Sequence, residues 1–262
     1  MPRILAKPDN INELNTQYTH EPLQQPVFLN SVPKCGTHLI RNIMRMFVAV
    51  EQHYQDTFIQ FPTLAQHRAA FATQSPKLSW GHLLFSDDSA IALQQVRHTL
   101  MVRDPYSWVL ARARFFLSDN FQGQMEHLKG GAVKVDEVLN LMIFGIIGKA
   151  PTIREIFQHN ALAWMGTAAR IIRMEDLVAA VQNLESDESE TFFTELLKFY
   201  GISTPADWRE RVRVGSDREQ SGTARENLAG GTDVIPDELP DAQQRLVDHM
   251  LPGVRELFGY DT

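Results

Sequence analysis

The chain of 262 residues contains a single cysteine, Cys35, so neither an intrachain disulfide nor a cysteine-based zinc module can form. Cations are in deficit: 25 Lys and Arg against 32 Asp and Glu give a formal charge of −7. Such a chain is unsuited to wrapping nucleic acid or an anionic lipid surface, although a few local cations can still hold a small anion. Long apolar runs are also missing. The longest, VLNLMIFGIIG from Val138 to Gly148, is about half of the ~20 residues that a membrane-spanning helix needs. The opening residues, MPRILAKPDNIN, lack the apolar core of a secretory leader, so the cytoplasm is the expected location. No internal repeat and no strong linker divides the chain.

What is present describes a globular protein, with 44% hydrophobic and 22% charged residues. Residues 1–26 are polar and punctuated by Pro2, Pro8, Pro22 and Pro26, and read as an N-terminal arm on the surface. Residues 27–262 then form the domain. Val27-Phe28-Leu29-Asn30 reads as a buried strand and SVPKCGTH as a loop; Leu39, Ile40, Ile43, Met44, Phe47 and Val48 then recur at helical spacing. A second strand, His98 to Val102, is broken by Arg103-Asp104-Pro105, and a helix starts near Tyr106 with proline in its first turn. A third strand, Ala169 to Met174, precedes a helix from about Glu175 to Asn183. The acidic run Glu185 to Glu190 reads as a solvated loop or helix start, not as a metal site. Strands alternating with helices predict an α/β fold: one three-layer domain whose central, mainly parallel sheet is flanked by helices.

Pro33-Lys34-Cys35-Gly36-Thr37-His38 is the most informative stretch. A strand that hands a glycine-containing loop to a helix N-terminus presents free backbone N–H groups and the positive dipole end to one small space. A phosphate or sulfate fits there, with Lys34 adding charge and Thr37 a hydroxyl. The Walker A pattern is absent, because Lys34 precedes Gly36 instead of following it. An ordinary strand-to-helix turn with a surface lysine is the bland alternative.

SVPKCGTHLIRNI resembles the 5′-phosphosulfate loop of the PAPS-dependent sulfotransferases, which runs roughly PKSGTTW after the first strand; PAPS is 3′-phosphoadenosine 5′-phosphosulfate. Cys35 stands where that family has Ser or Ala, and His38 and Leu39 stand where it has Thr and an adenine-stacking Trp. LMVRDPYSWVLARARFFL, Leu100 to Leu117, resembles the 3′-phosphate segment and puts Arg103 at the position of the phosphate-gripping arginine. A guanidinium suits that task because its rigid fork donates two parallel hydrogen bonds. Ala111 takes the place of a family serine that touches the same phosphate; Arg112 or Arg114 are candidate substitutes. Trp80-Gly81-His82-Leu83-Leu84 resembles the KTHLP stretch that carries the catalytic histidine, here His82.

Further on, Val135 to Trp164 follows the family pattern through His159 and Trp164, both read as packing residues. IIRMEDL resembles LYYEDL, with Met174 in place of a nucleotide-touching tyrosine and Glu175-Asp176 at a helix start. SGTARENLAGG offers Arg225 and Gly230-Gly231 against the family's RKGxxGxW, without the tryptophan. PDAQQRLVDHMLPGVRELFGYD looks like the closing helix.

The resemblance implies a P-loop-like nucleotide-binding fold, with PAPS as sulfonyl donor and no metal. Pro33, Lys34, Cys35, Gly36, Thr37, His38, Leu39, Arg103, Ala111 and Arg225 fall at its nucleotide-binding positions. In the implied mechanism His82 takes the proton of an acceptor hydroxyl or amine, and Lys34 stabilises the leaving group. The acceptor could be a phenol, a lipid-linked or polyketide alcohol, a carbohydrate or a peptide tyrosine. Phe58, Phe61, Phe85, Phe115, Phe116, Phe121, Met142 and Phe144 are candidates for its pocket, with core packing the default for most. The rival readings are a non-catalytic nucleotide- or sulfate-binding relative and a P-loop phosphotransferase. Neither a nucleic-acid partner nor a membrane span is expected, and the oligomeric state stays open.

Overall fold

Five residues in a row, Val27 to Ser31, are buried on both faces, which a strand achieves only in the middle of a covered sheet. The structure, a computed structural model, describes residues 3–4, 8–123, 125–221 and 235–260. Up to residue 102 its elements are β1 (Arg3–Ile4), α1 (Ile11–Asn15), β2 (Val27–Ser31), α2 (Thr37–Arg45), β3 (His53–Gln60), β4 (Leu78–His82), α3 (Asp87–Ala92) and β5 (Arg97–Val102). Next come α4 (Pro105–Leu117), β6 (Phe121–Gln122), α5 (Val135–Phe144) and α6 (Ile153–Asn160). The remainder are β7 (Arg170–Arg173), α7 (Met174–Gln182), α8 (Asp187–Tyr200), α9 (Trp208–Ser216), α10 (Asp241–Met250) and α11 (Val254–Leu257).

The architecture is α/β with a parallel central sheet and flanking helices, as the alternating pattern predicts. Contacts gather the chain into two units. The sheet unit comprises Pro8–Val102 and Asn160–Ser221; the helical unit comprises Met1–Lys7, Arg103–His159 and Gly222–Thr262.

In the sheet unit the strand order is β3-β4-β2-β5-β7, and every pairing is parallel. Asn30 pairs with Gly81, Ser31 with Met101 and Gln60 with His82, so the carboxyl ends of β2, β4 and β5 finish side by side. The chain leaves β2 towards one edge and β5 towards the other, a switch in direction at which sheets of this kind commonly bind ligands. Leu29, Leu78 and Trp80 face α2, and α9 packs on α2 in turn. The opposite face carries Phe28 and His98, which meet Phe71 and Trp164 at ring distances of 5.5 and 4.6 Å.

β3 and β4 escape a search for apolar runs, because β4 reads Leu-Ser-Trp-Gly-His. Ser79 is nevertheless fully buried, its hydroxyl donating to the Val27 carbonyl (3.2 Å). Gly81 is required here: a Cβ would lie 1.9 Å from the Ile59 carbonyl oxygen of the neighbouring strand. The helical pattern of Phe47 and Val48 outruns α2, which stops at Arg45; both residues are still buried, in the turn that follows. Residues 8–26, read as a surface arm, contain α1. Ile11 is buried, and Asn15 donates to the Arg45 and Val48 carbonyls (2.5 and 3.0 Å), closing the end of α2. The acidic run divides at Ser186, whose hydroxyl caps α8 by accepting from Ser189 N.

In the helical unit, Asp104 caps α4 by accepting from Tyr106 N (3.0 Å), and Pro105 opens the helix. Trp108 and Phe157 meet edge to face at 5.4 Å in its core. Short strands β1 and β6 pair antiparallel, and α10 packs on α4 and α5. No helix among the described residues is long and apolar enough to cross a membrane.

Candidate functional site

The loop after β2 is shaped by two left-handed residues. Lys34 has φ 68° and Gly36 has φ 84°. For glycine this is free, whereas a lysine there carries on the order of 1 kcal/mol of strain, a cost typical of functional loops. Val32 N still donates to the Met101 carbonyl (3.0 Å), and Cys35 N closes a turn onto the Val32 carbonyl (3.2 Å). Gly36 then becomes the N-cap of α2, and the helix's first-turn N–H groups, those of Thr37, His38 and Leu39, have no partner inside the helix. Cys35 is fully buried, so its side chain packs beneath the loop. A side chain at residue 36 would meet Met174 at 3.3 Å and Met101 at 3.6 Å. Met174, the stand-in for a family tyrosine, thus packs under the loop.

His82, the last residue of β4, lies beside Ser31, the last of β2. Its Nδ1 lies 2.8 Å from the Ser31 carbonyl oxygen and 3.0 Å from the Ser31 hydroxyl. A carbonyl only accepts, so Nδ1 carries the proton and Nε2 carries the lone pair of the neutral ring. Ser31 Oγ also shares a hydrogen bond with Thr37 Oγ1 (2.5 Å), which ties the first residue of α2 to the end of β2. Burial is the main cause that lowers the His82 pKa to about 3, with His38 and Lys34 adding to it. The ring is therefore a neutral base at physiological pH, well below the 6.5 of a free imidazole.

Three buried side chains hold the peptide after His82. Asn30 accepts from Leu83 N (2.9 Å), and the Leu83 carbonyl receives Asn30, Asn160 and Trp164 Nε1, each at 3.2 Å. Asn160 also donates to the Ser31 carbonyl (3.3 Å), the group that fixes the His82 tautomer. Of the two residues read as packing, Trp164 belongs to this clamp, whereas His159 is exposed. Asn30 and Asn160 were missed, since a lone asparagine in a strand or at a helix end carries no sequence signal.

Around His82 lies a row of rings. Phe58 meets His82 at 4.6 Å and Trp80 at 5.0 Å, and Trp80 meets His38 at 5.5 Å with the Arg41 guanidinium 4.2 Å over its ring. His38 is held down to about 4 by burial, then by Arg41 and Lys34. Leu39 is only half-buried. Among the eight apolar pocket candidates, Phe58 is the one in ring contact with His82. Phe115, Phe121 and Met142 are buried in the helical unit, and Phe61, Phe85 and Phe144 are exposed.

The residues named for the second phosphate belong to the helical unit. Arg103 follows the last residue of β5 and donates from Nε to Ser107 Oγ (2.8 Å), one turn along α4. Ser107 donates in turn to the Asp104 carbonyl (3.2 Å). It is the hydroxyl nearest in sequence to the role that Ala111 cannot fill. Arg112 is not available as a substitute: it is buried and donates to the Met142 and Pro151 carbonyls, both at 2.7 Å. Arg114 donates to the Pro236 carbonyl (2.8 Å) and pairs with Asp237 (3.2 Å). Arg225 and Gly230-Gly231 lie outside the described residues. Glu175 and Asp176 fall in the first turn of α7, where Asp176 pairs with Arg173 (2.7 Å). Among the described residues no group of three or more His, Cys, Asp or Glu gathers in a way that could hold a metal ion.

A parallel sheet that delivers a tight, glycine-capped loop to a helix N-terminus defines the class of P-loop-like α/β nucleotide-binding folds. Within that class the chain has the sulfotransferase fold. It superposes on the mouse sulfotransferase SULT7A1 complexed with PAP at a TM-score of 0.51, covering 97% of this chain and 90% of that one, with 12% sequence identity. No protein-family profile matches the chain, and no curated protein matches it by sequence.

Proposed function

We propose that the protein is a sulfotransferase, moving the sulfonyl group of PAPS to a hydroxyl or amine of an acceptor, with His82 as the base. The observation that carries the reading is the hydrogen bond from His82 Nδ1 to the Ser31 carbonyl (2.8 Å), which leaves Nε2 as proton acceptor at the end of the strand beside the anion loop. The loop's own geometry fits a phosphosulfate: left-handed Lys34 and Gly36 lead into the first-turn N–H groups of α2, with the Thr37 hydroxyl in the same turn.

PAPS supplies an activated sulfonyl group on its 5′-phosphate. His82 Nε2 accepts the acceptor's proton as the acceptor oxygen or nitrogen bonds to sulfur; the bond from sulfur to the 5′-phosphate oxygen breaks, and its electron pair stays on that oxygen. Lys34 and the loop N–H groups meet the charge that develops there. As in phosphoryl transfer, positioning and charge stabilisation carry most of the rate. Pro33 through Leu39 cradle the 5′ end. Arg103, oriented by Ser107, takes the 3′-phosphate beside Ala111, with Arg225 as the C-terminal contribution. Phe58 favours an acceptor that brings an apolar or aromatic body to His82.

The test is transfer of label from ³⁵S-PAPS to a panel of phenols, aliphatic alcohols, saccharides and tyrosine peptides, read alongside calorimetric binding of PAP. Binding with transfer to at least one acceptor supports the reading. Binding without any transfer favours the non-catalytic relative, and absence of binding overturns both.

A further inference from the structure

Asp104 immediately follows Arg103, so a carboxylate lies next to the residue assigned to the 3′-phosphate. An uncompensated anion there would repel the ligand. Arg255, in the short C-terminal helix α11, meets it from 151 residues away: Nε donates to Asp104 Oδ1 and Nη2 to Oδ2, both at 3.1 Å. This is the fork-to-carboxylate geometry that lysine cannot reproduce. The pair is largely shielded, with side-chain exposures of 19% and 21%, so it is screened by water less than a surface pair. The guanidinium also lies 4.0 Å over the ring of Tyr106, whose hydroxyl donates to both oxygens of Asp248 in α10 (2.8 and 2.9 Å). All of these residues belong to the helical unit.

We infer that Arg255 is a positioning residue for 3′-phosphate recognition: it neutralises Asp104 and, through the α4 N-terminus, fixes the turn from which Arg103 reaches its ligand. The inference rests on the nucleotide reading above. Asp104 has two tasks that conflict near an anion, since its carboxylate caps α4 through Tyr106 N while its charge opposes phosphate. Arg255 lets the cap stay and removes the net charge. Ser107 completes the arrangement by accepting from Arg103 Nε, which fixes the plane of the guanidinium one turn along α4.

The experiment compares PAP with AMP, which lacks the 3′-phosphate, by calorimetry on the full chain. R255Q is expected to weaken PAP about tenfold, equivalent to about 1.4 kcal/mol, and to leave AMP unchanged. Asn can still cap a helix without the charge, so adding D104N to R255Q is expected to restore most of the PAP affinity. Equal losses for PAP and AMP, or failure of D104N to rescue a folded R255Q chain, would show a merely structural role and overturn the inference. Unchanged PAP affinity in R255Q overturns it as well. If the wild-type chain binds PAP no better than AMP, the nucleotide reading itself falls. If it prefers PAP and R255Q keeps that preference, only Arg255 is misassigned.

Discussion

His82 is not an isolated histidine. One backbone carbonyl selects which ring nitrogen carries the proton, and its charge state is set chiefly by burial, with His38 and Lys34 adding to it. Replacing His82 by Gln should cut transfer by about 10²–10⁴-fold, the usual contribution of a general base, while PAP binding persists in calorimetry. Lys34→Ala should lower single-turnover transfer by about 10²–10³-fold through lost charge stabilisation; a near wild-type rate in either variant removes that residue from the chemistry. The pH profile is a separate check. A base must be unprotonated, and the His82 pKa lies at about 3, so kcat/KM should stay level as pH falls through 6.5, where an ordinary histidine would titrate. An acid limb centred near 6.5 would show that the ring is less buried in the working enzyme. His38, lowered to about 4, is likewise neutral and does not compete with Lys34 as a cation at pH 7.

Two elements depend on single residues that local patterns undervalue. Gly81 lets β3 approach β4 where a Cβ would stand 1.9 Å from the Ile59 carbonyl oxygen. Gly81→Ala should therefore destabilise the chain by about 3 kcal/mol or more in urea unfolding, and displace His82 so that transfer falls further than stability alone explains. A fully active, fully stable G81A chain would contradict the strand pairing. In the helical unit, Arg112 joins α4 to α5 and to the turn before α6 through the Met142 and Pro151 carbonyls, and its guanidinium lies 5.0 Å over the Trp108 ring. Burial lowers its pKa to about 10, which still leaves it charged. Arg112→Met keeps the apolar stem and leaves two carbonyls unsatisfied, so a loss of about 2–4 kcal/mol is expected. Unchanged stability would mean that the released desolvation cost of the charge offsets the lost bonds.

Across the whole molecule, several histidines are held in neutral form. His98 is lowered to about 3 by burial alone, and His53 to about 4, chiefly by burial. Their folded values lie below the unfolded 6.5, so the unfolded chain binds more protons between those limits. Stability is therefore fully present above pH 6.5 and is lost progressively as pH falls towards 3–4. His98 is ringed by Phe28 and Trp164, and its Nε2 is buried without a partner among the described residues. His98→Phe should reduce the fall in Tm between pH 7 and pH 5; an identical fall in both chains would remove His98 from the acid response. Trp164 and Phe28 offer an apolar site for the new ring, so the variant remains a fair comparison.

Legibility in the sequence followed the range of the interactions. β2, the PKCGT loop and α2 were readable because an apolar run, a turn residue and a helical period are short-range signals, and β5 with the Asp104-Pro105 start of α4 was readable for the same reason. β3 and β4 were not, since their polar residues are buried by position in the sheet and not by their own hydrophobicity. The sequence by itself determined the strand–loop–helix unit around Gly36 and that the sheet would be mainly parallel. Only the tertiary structure decided that the Ser31 carbonyl meets Nδ1 of His82, 51 residues away, and that Arg255 pairs with Asp104 across 151 residues. The physical reason is that strand order and helix docking bring together groups whose distance along the chain leaves no local pattern, while hydrogen bonds and ion pairs act only over a few ångströms.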